Sequence, residues 1–142
     1  MRLTLSMLCA VLCFDALACD GLVVERAWLR QPPPGSDVAA AYFEARNDGQ
    51  RALTIRAVSS PDFKRAMLHA TRVVDGRTEM RPQGDIELAP GASFSAAPGG
   101  AHVMLFDALQ PLIEGNTLTL ELRCTQGQAL TVALPVRRNA PR

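Results

Sequence analysis

The stretch 117–124, TLTLELRC, sets an apolar residue at every second position, with Leu118, Leu120, Leu122 and Cys124 between Thr117, Thr119, Glu121 and Arg123. Successive side chains of a strand project to opposite faces, so this pattern describes a strand with one face in a core and the other in water. Working outward, runs of the same kind fill the chain. Leu22 to Leu29, Val38 to Ala45, Ala52 to Val58, Arg65 to Val74 and a short piece from Thr78 to Arg81 precede it. Ser93 to Ala97 and Ala101 to Phe106 come next, and Ala129 to Val136 closes the series. Between them fall turn residues: Pro32-Pro33-Pro34-Gly35, Asn47-Asp48-Gly49, Ser59-Ser60-Pro61 and Asp75-Gly76. Asn47-Asp48-Gly49 offers two good candidates for positive φ. Turns recur about every ten residues, the spacing of an antiparallel sandwich or barrel. A convincing helical period is absent beyond the N-terminal leader, and the fold class is all-β.

The bulk numbers agree with one such domain. The chain has 142 residues, 48% of them hydrophobic, with a formal net charge of +1. Arg and Lys are scattered, which argues against a nucleic-acid footprint or a polybasic membrane patch. Residues 1–18 read as a secretion signal. Arg2 supplies the positive start, Leu3 to Phe14 the apolar stretch and Ala16-Leu17-Ala18 an A-x-A cleavage motif. That apolar stretch is far short of the ~20 residues that span a bilayer. Cleavage leaves a mature domain at 19–142, expected to act in the periplasm.

Of the four cysteines, Cys9 and Cys13 leave with the signal, so Cys19 and Cys124 remain. An oxidising compartment permits a disulfide between them. Cys19 also follows Ala18, where a lipoprotein carries its acylated cysteine, although Leu17 stands one place from its usual lipobox position. Disulfide, lipid anchor and free thiols are the three alternatives, in that order.

The chemistry-bearing residues are few. The chain has two histidines, His69 and His102, and the mature part has three methionines, Met67, Met80 and Met104. Ten residues separate His69 from Met80, twenty-one separate Met80 from His102, and one separates His102 from Met104. In a strand, His102 and Met104 point the same way about 7 Å apart, while Val103 and Leu105 point into the core. Thioether sulfur is soft and neutral and imidazole borderline, so two of each suit Cu(I) far better than Zn(II), Mg(II) or Ca(II). A blue-copper electron carrier needs a cysteine thiolate beside its histidines, and Cys124 lies twenty residues beyond Met104.

The spaced set His69, Met80, His102, Met104 resembles the motif of the periplasmic PCuAC copper chaperones, position for position. The likeness covers nearly all of the mature chain. Ala27-Trp28-Leu29-Arg30 with Pro33-Pro34-Gly35, and Ala41-Tyr42-Phe43 with Asn47-Asp48-Gly49, are similar to the family's opening strands and turns. Met80-Arg81-Pro82, Pro90-Gly91 and Pro98-Gly99-Gly100-Ala101-His102-Val103-Met104-Leu105 are similar to its later signatures. The resemblance implies a cupredoxin-like antiparallel β-sandwich of Greek-key type that binds one Cu(I) per chain. It also implies delivery of copper toward the binuclear copper centre of cytochrome oxidase, alongside a thioredoxin-like Sco protein.

The tail from Arg137 to Arg142 lacks His and Met, so the copper-binding tail of some relatives is absent. Met67, two before His69 on the same strand face, lies outside the motif and reads as a packing residue or an auxiliary thioether. Glu79 reads as a solvated strand residue, and Trp28 as a packing residue rather than a copper neighbour. A nucleophile–base–orienter arrangement is missing around either histidine, as are HExxH and a phosphate-cradling glycine loop, so the chain does not read as an enzyme. Copper scavenging or tolerance is the alternative function, and a metal-free adhesion-type sandwich the second.

Overall fold

The computed structural model describes residues 19–125 and 129–141. The leader at 1–18, with its cleavage motif and two cysteines, lies outside the described residues. Ten strands follow one another: β1 (Leu22–Arg30), β2 (Ala39–Asn47), β3 (Leu53–Ser59), β4 (Phe63–Val74), β5 (Arg77–Pro82), β6 (Ile86–Leu88), β7 (Ser93–Ala96), β8 (Ala101–Ala108), β9 (Thr117–Cys124) and β10 (Leu130–Arg137). Helix is absent among the described residues. The nine runs read from sequence each correspond to a strand. The strand that sequence missed is β6, whose three residues are too short for alternation to register.

Hydrogen bonding runs in the order β5–β4–β8–β7–β2–β1–β10–β9–β3–β6, with a further β8–β2 pairing. The sheet does not close, and β5 and β6 are its free edges. Most pairings are antiparallel; β7–β8 and β1–β10 are parallel. The β1–β10 seam is brief, Leu29 opposite Val136 and Arg30 opposite Arg137. It joins two leaves whose inner faces form the core. One leaf contributes Leu29, Ala41, Phe43, Val103 and Leu105, the other Leu118, Leu120, Leu122, Leu134 and Val136. Across β9–β10, Leu118 opposes Leu134, Leu120 opposes Val132 and Leu122 opposes Leu130. Each fully buried side chain of this kind contributes about 1.5–3 kcal/mol.

Two local devices decide which residues face outward. In β1 the register slips between Glu25 and Trp28, where Arg26 takes a φ of 50°. Before this bulge the even-numbered Leu22 faces the core. After it Leu29 does, and Trp28 and Arg30 turn to the outer face. A bulge exchanges the two faces of a strand in this way.

The second device corrects the reading of Asn47-Asp48-Gly49: none of the three adopts positive φ. Asn47 is fully buried. Its side-chain amide donates to the carbonyls of Arg51 and Leu88 at 2.7 and 2.9 Å, and its oxygen accepts from the Gly49 N–H at 2.9 Å. Gly49 is favoured by space instead, because a Cβ there would sit tightly against Gly21 Cα at 3.3 Å and Asn47 Oδ1 at 3.1 Å.

At the end where β1 and β10 diverge, Cys19 is bonded to Cys124, with Cα atoms 5.4 Å apart and a sequence separation of 105. The bridge ties the segment before β1 to the end of β9. Cys19 is 2% exposed, and in this bonded, buried state its sulfur has no valence left for an acyl anchor.

Candidate metal centre

Three strands at one edge of the first leaf position the chemistry. β4 pairs with β8 so that Met67 opposes Met104 and His69 opposes His102. On the other side of β4, β5 sets Pro82 opposite His69 and Met80 opposite Thr71. Opposed residues of an antiparallel pair share a face, and so do residues two apart along a strand. Met67, His69, Met80, His102 and Met104 therefore stand together on the outer face of β5–β4–β8. The residues between them go inward: Val103 and Leu105 are fully buried, Leu68 nearly so, and Ala66 packs against the core.

The β4–β5 connection makes this face narrow and exposed on one side. Asp75 and Gly76 take φ of 50° and 75° between the paired Val74 and Arg77, the signature of a tight two-residue hairpin turn. Met80, on the free edge strand, is 64% exposed. Glu79 points to the opposite face and binds Arg81 at 2.8 Å, so the solvated reading holds for it.

The two imidazoles are treated differently. Ala97 to Gly100 form a turn with Pro98 at its second position, Gly99 at a φ of 85° and the Gly100 N–H donating to Ala97 O at 2.9 Å. Proline followed by a positive-φ glycine is the type II signature. The turn presents the Gly100 carbonyl, which accepts from the Thr71 N–H at 3.3 Å and lies 3.1 Å from His102 Nδ1. A carbonyl only accepts, so Nδ1 is the nitrogen that carries a proton here, and Nε2 is the one left to bind a metal. His102 is 8% exposed, held rather than swinging in solvent.

His69 has no such partner: its Nδ1 is buried and unpaired. The ring centroids of the two histidines are 6.0 Å apart. Burial first, and then the neighbouring His102, push the His69 imidazole below its ordinary 6.5. At neutral pH it is uncharged, with a lone pair to give. An unpaired buried nitrogen is costly, and a cation is a partner that would satisfy it.

Two imidazoles and up to three thioethers, none of them an anionic ligand, make a donor set that fits Cu(I). Among the described residues, groups of three or more His, Cys, Asp or Glu able to hold a metal are absent.

Trp28 is a packing residue, as read, but it packs on the outer face rather than in the core. Its ring lies 5.0 Å from that of Tyr42, and the Arg30 guanidinium sits 5.6 Å from each. Arg30 opposes Ala40, and Ala40 opposes Met104, so this stack borders the donor face. The sequence reading missed the Gly100 carbonyl as a tautomer-fixing acceptor. The Pro98-Gly99-Gly100 signal for its turn was present.

Comparison with known proteins agrees with this architecture. The family model described as "Putative lipoprotein LpqE-like" matches residues 22–136. A curated protein of Leifsonia xyli subsp. xyli, named "Putative lipoprotein Lxx21020", is 29% identical over 119 residues, 83% of this chain and 70% of that protein. Solved PCuAC domains share the fold. The copper-bound PCuAC domain from PmoF2 is 26% identical with a TM-score of 0.68, over 89% of this chain and 98% of that one. The solution structure of CuI-DR1885 from Deinococcus radiodurans is 25% identical with a TM-score of 0.59, over 89% and 83%. The fold is a cupredoxin-like β fold.

Proposed function

The chain belongs to the LpqE-like family, and on that footing we propose that it is an exported Cu(I) carrier whose site is His69, Met80, His102 and Met104. The observation that carries this reading is the β4–β8 register, which opposes the two histidines on one face while Met104 and Met80 flank them. Copper-bound relatives of the same fold support the metal. One Cu(I) per chain is the expected load.

The donors also suit the job of a carrier. A storing or detoxifying site profits from thiolates, but here both described cysteines are joined in a disulfide away from the donor face. Neutral imidazole and thioether donors yield the ion to an incoming stronger ligand one at a time, and Met80 is open to such an approach. The acceptor we propose is the copper domain of cytochrome oxidase, with a Sco-like thioredoxin-fold protein as partner.

The test is anaerobic loading with Cu(I), followed by mixing with apo oxidase copper domain or a Sco-like protein. Transfer of most of the copper supports delivery. Retention by the chain, together with copper sensitivity of a deletion strain whose oxidase is unaffected, supports scavenging instead.

Family and relative are both described as lipoproteins, whereas the Cys19 sulfur here is bonded to Cys124. We propose the disulfide-bonded, unanchored form in the periplasm. Mass spectrometry of the native protein should find a chain starting at Cys19 and lighter by two hydrogens, with no acyl adduct.

A further inference from the structure

Met67 stands outside the set of four, yet the register gives it the same relation to Met104 that His69 has to His102. Building on the copper reading, we propose that Met67 supplies a third thioether to the ion, so that two thioethers, Met67 and Met104, still hold it when Met80 leaves during transfer. Cross-strand partners of this kind have Cβ atoms about 4.5–5.5 Å apart, and diagonal ones about 7–8 Å. Met67 and Met104 are direct partners, whereas Met80, opposite Thr71, reaches His69 only on the diagonal.

The surroundings favour a ligand over a packing residue. Ala66 and Leu68, on either side of Met67, serve the core, so Met67 faces the side of the sheet that carries His69 and Met104. Along β4, the next outward row is closed by Arg65, whose guanidinium lies 4.5 Å from the Phe106 centroid. On the far side of Met104 stands Ala40, which is small. The Met67–Met104 pair thus lies between a capped row and the two histidines, and it is only half-exposed, unlike Met80.

The experiment uses the mature chain and its Met67→Leu, Met80→Leu and double variants, since Leu conserves volume for Met. Cu(I) affinity is read by anaerobic chelator competition, the sulfur shell by X-ray absorption, and the fold by apo melting temperature. Each single variant should lose about tenfold or less in affinity, because two thioethers remain. The double variant should lose more than the product of the two, the mark of coupled sites. The copper–sulfur amplitude should fall in Met67→Leu while the apo melting temperature holds. Unchanged affinity and sulfur amplitude on removing Met67, in both the wild-type and the Met80→Leu backgrounds, overturns the third thioether and leaves the proposed function standing. A wild-type chain that binds no Cu(I) overturns both.

Discussion

The two ends of the molecule spend their residues in opposite ways. At the β9–β10 end, Leu118, Leu120, Leu122 and Leu134 are at most 1% exposed, and a disulfide clips the place where the leaves part. At the β4–β5–β8 end, the outward face carries both histidines and three methionines, and the strand beside it is a free edge. The difference teaches where stability and function reside. The first end can lose little without unfolding. The second can lose its chemistry while the sandwich stands, because the donors on β4 and β8 alternate with the residues that hold the core, and Met80 lies on an exposed edge strand.

Breaking the first end should give the largest effect. Leu120→Ala should cost about 2–5 kcal/mol of stability in urea unfolding. Replacing both Cys19 and Cys124 by Ser should cost about 2–5 kcal/mol. In both variants, so long as they are folded, Cu(I) affinity should stay within about threefold of wild type. A disulfide variant that lost copper binding at full folding would join the two ends and undo the comparison.

Breaking the second end should reverse the pattern. His102→Ala should weaken Cu(I) binding by about a hundredfold, near 2.7 kcal/mol. It should cost the apo protein only about 1 kcal/mol for the hydrogen bond to Gly100 and the lost packing. Met104→Ala should lower affinity with a still smaller stability change, because Met104 is only half-buried. Chelator competition beside thermal melting checks both. Loss of stability with unchanged affinity would make these residues structural.

The smallest effect sharpens the contrast through pH. Burial and the adjacent His102 hold the His69 imidazole below 6.5. In the unfolded chain the same ring takes up a proton near its ordinary value. Between the two values the unfolded state binds more protons, so apo stability is full above about pH 6.5 and declines as pH falls through that window. His69→Gln should flatten that decline in urea midpoints measured across it. An unchanged slope would remove His69 as its source.

Much of the fold was legible because period-two alternation and turn residues are local signals. Thr117–Cys124 was read with its observed boundaries. The β1 bulge was not legible, since LVVERAWL reads as one run and only the pairing with β2 reveals the slip at Arg26. Asn47 misled because its role is long-range, joining Arg51 to Leu88 through its side chain rather than turning the backbone.

At the candidate site, His-x-Met gave the shared face of His102 and Met104, and Val103 and Leu105 lie in the core as expected. That His69 opposes His102 and Met67 opposes Met104 is a fact of register between residues more than thirty positions apart, which alternation within a strand cannot express. Sequence suggested an outward pair, yet His102 is nearly covered, with its Nδ1 held by the Gly100 carbonyl of the 97–100 turn.

Whether the opposed histidines bind copper is decided by anaerobic Cu(I) competition with the folded His69→Ala/His102→Ala chain beside wild type. Wild type should take up one Cu(I) per chain, and the double variant, still folded, should yield its copper to the chelator throughout. A double variant holding Cu(I) as tightly as wild type would contradict the account.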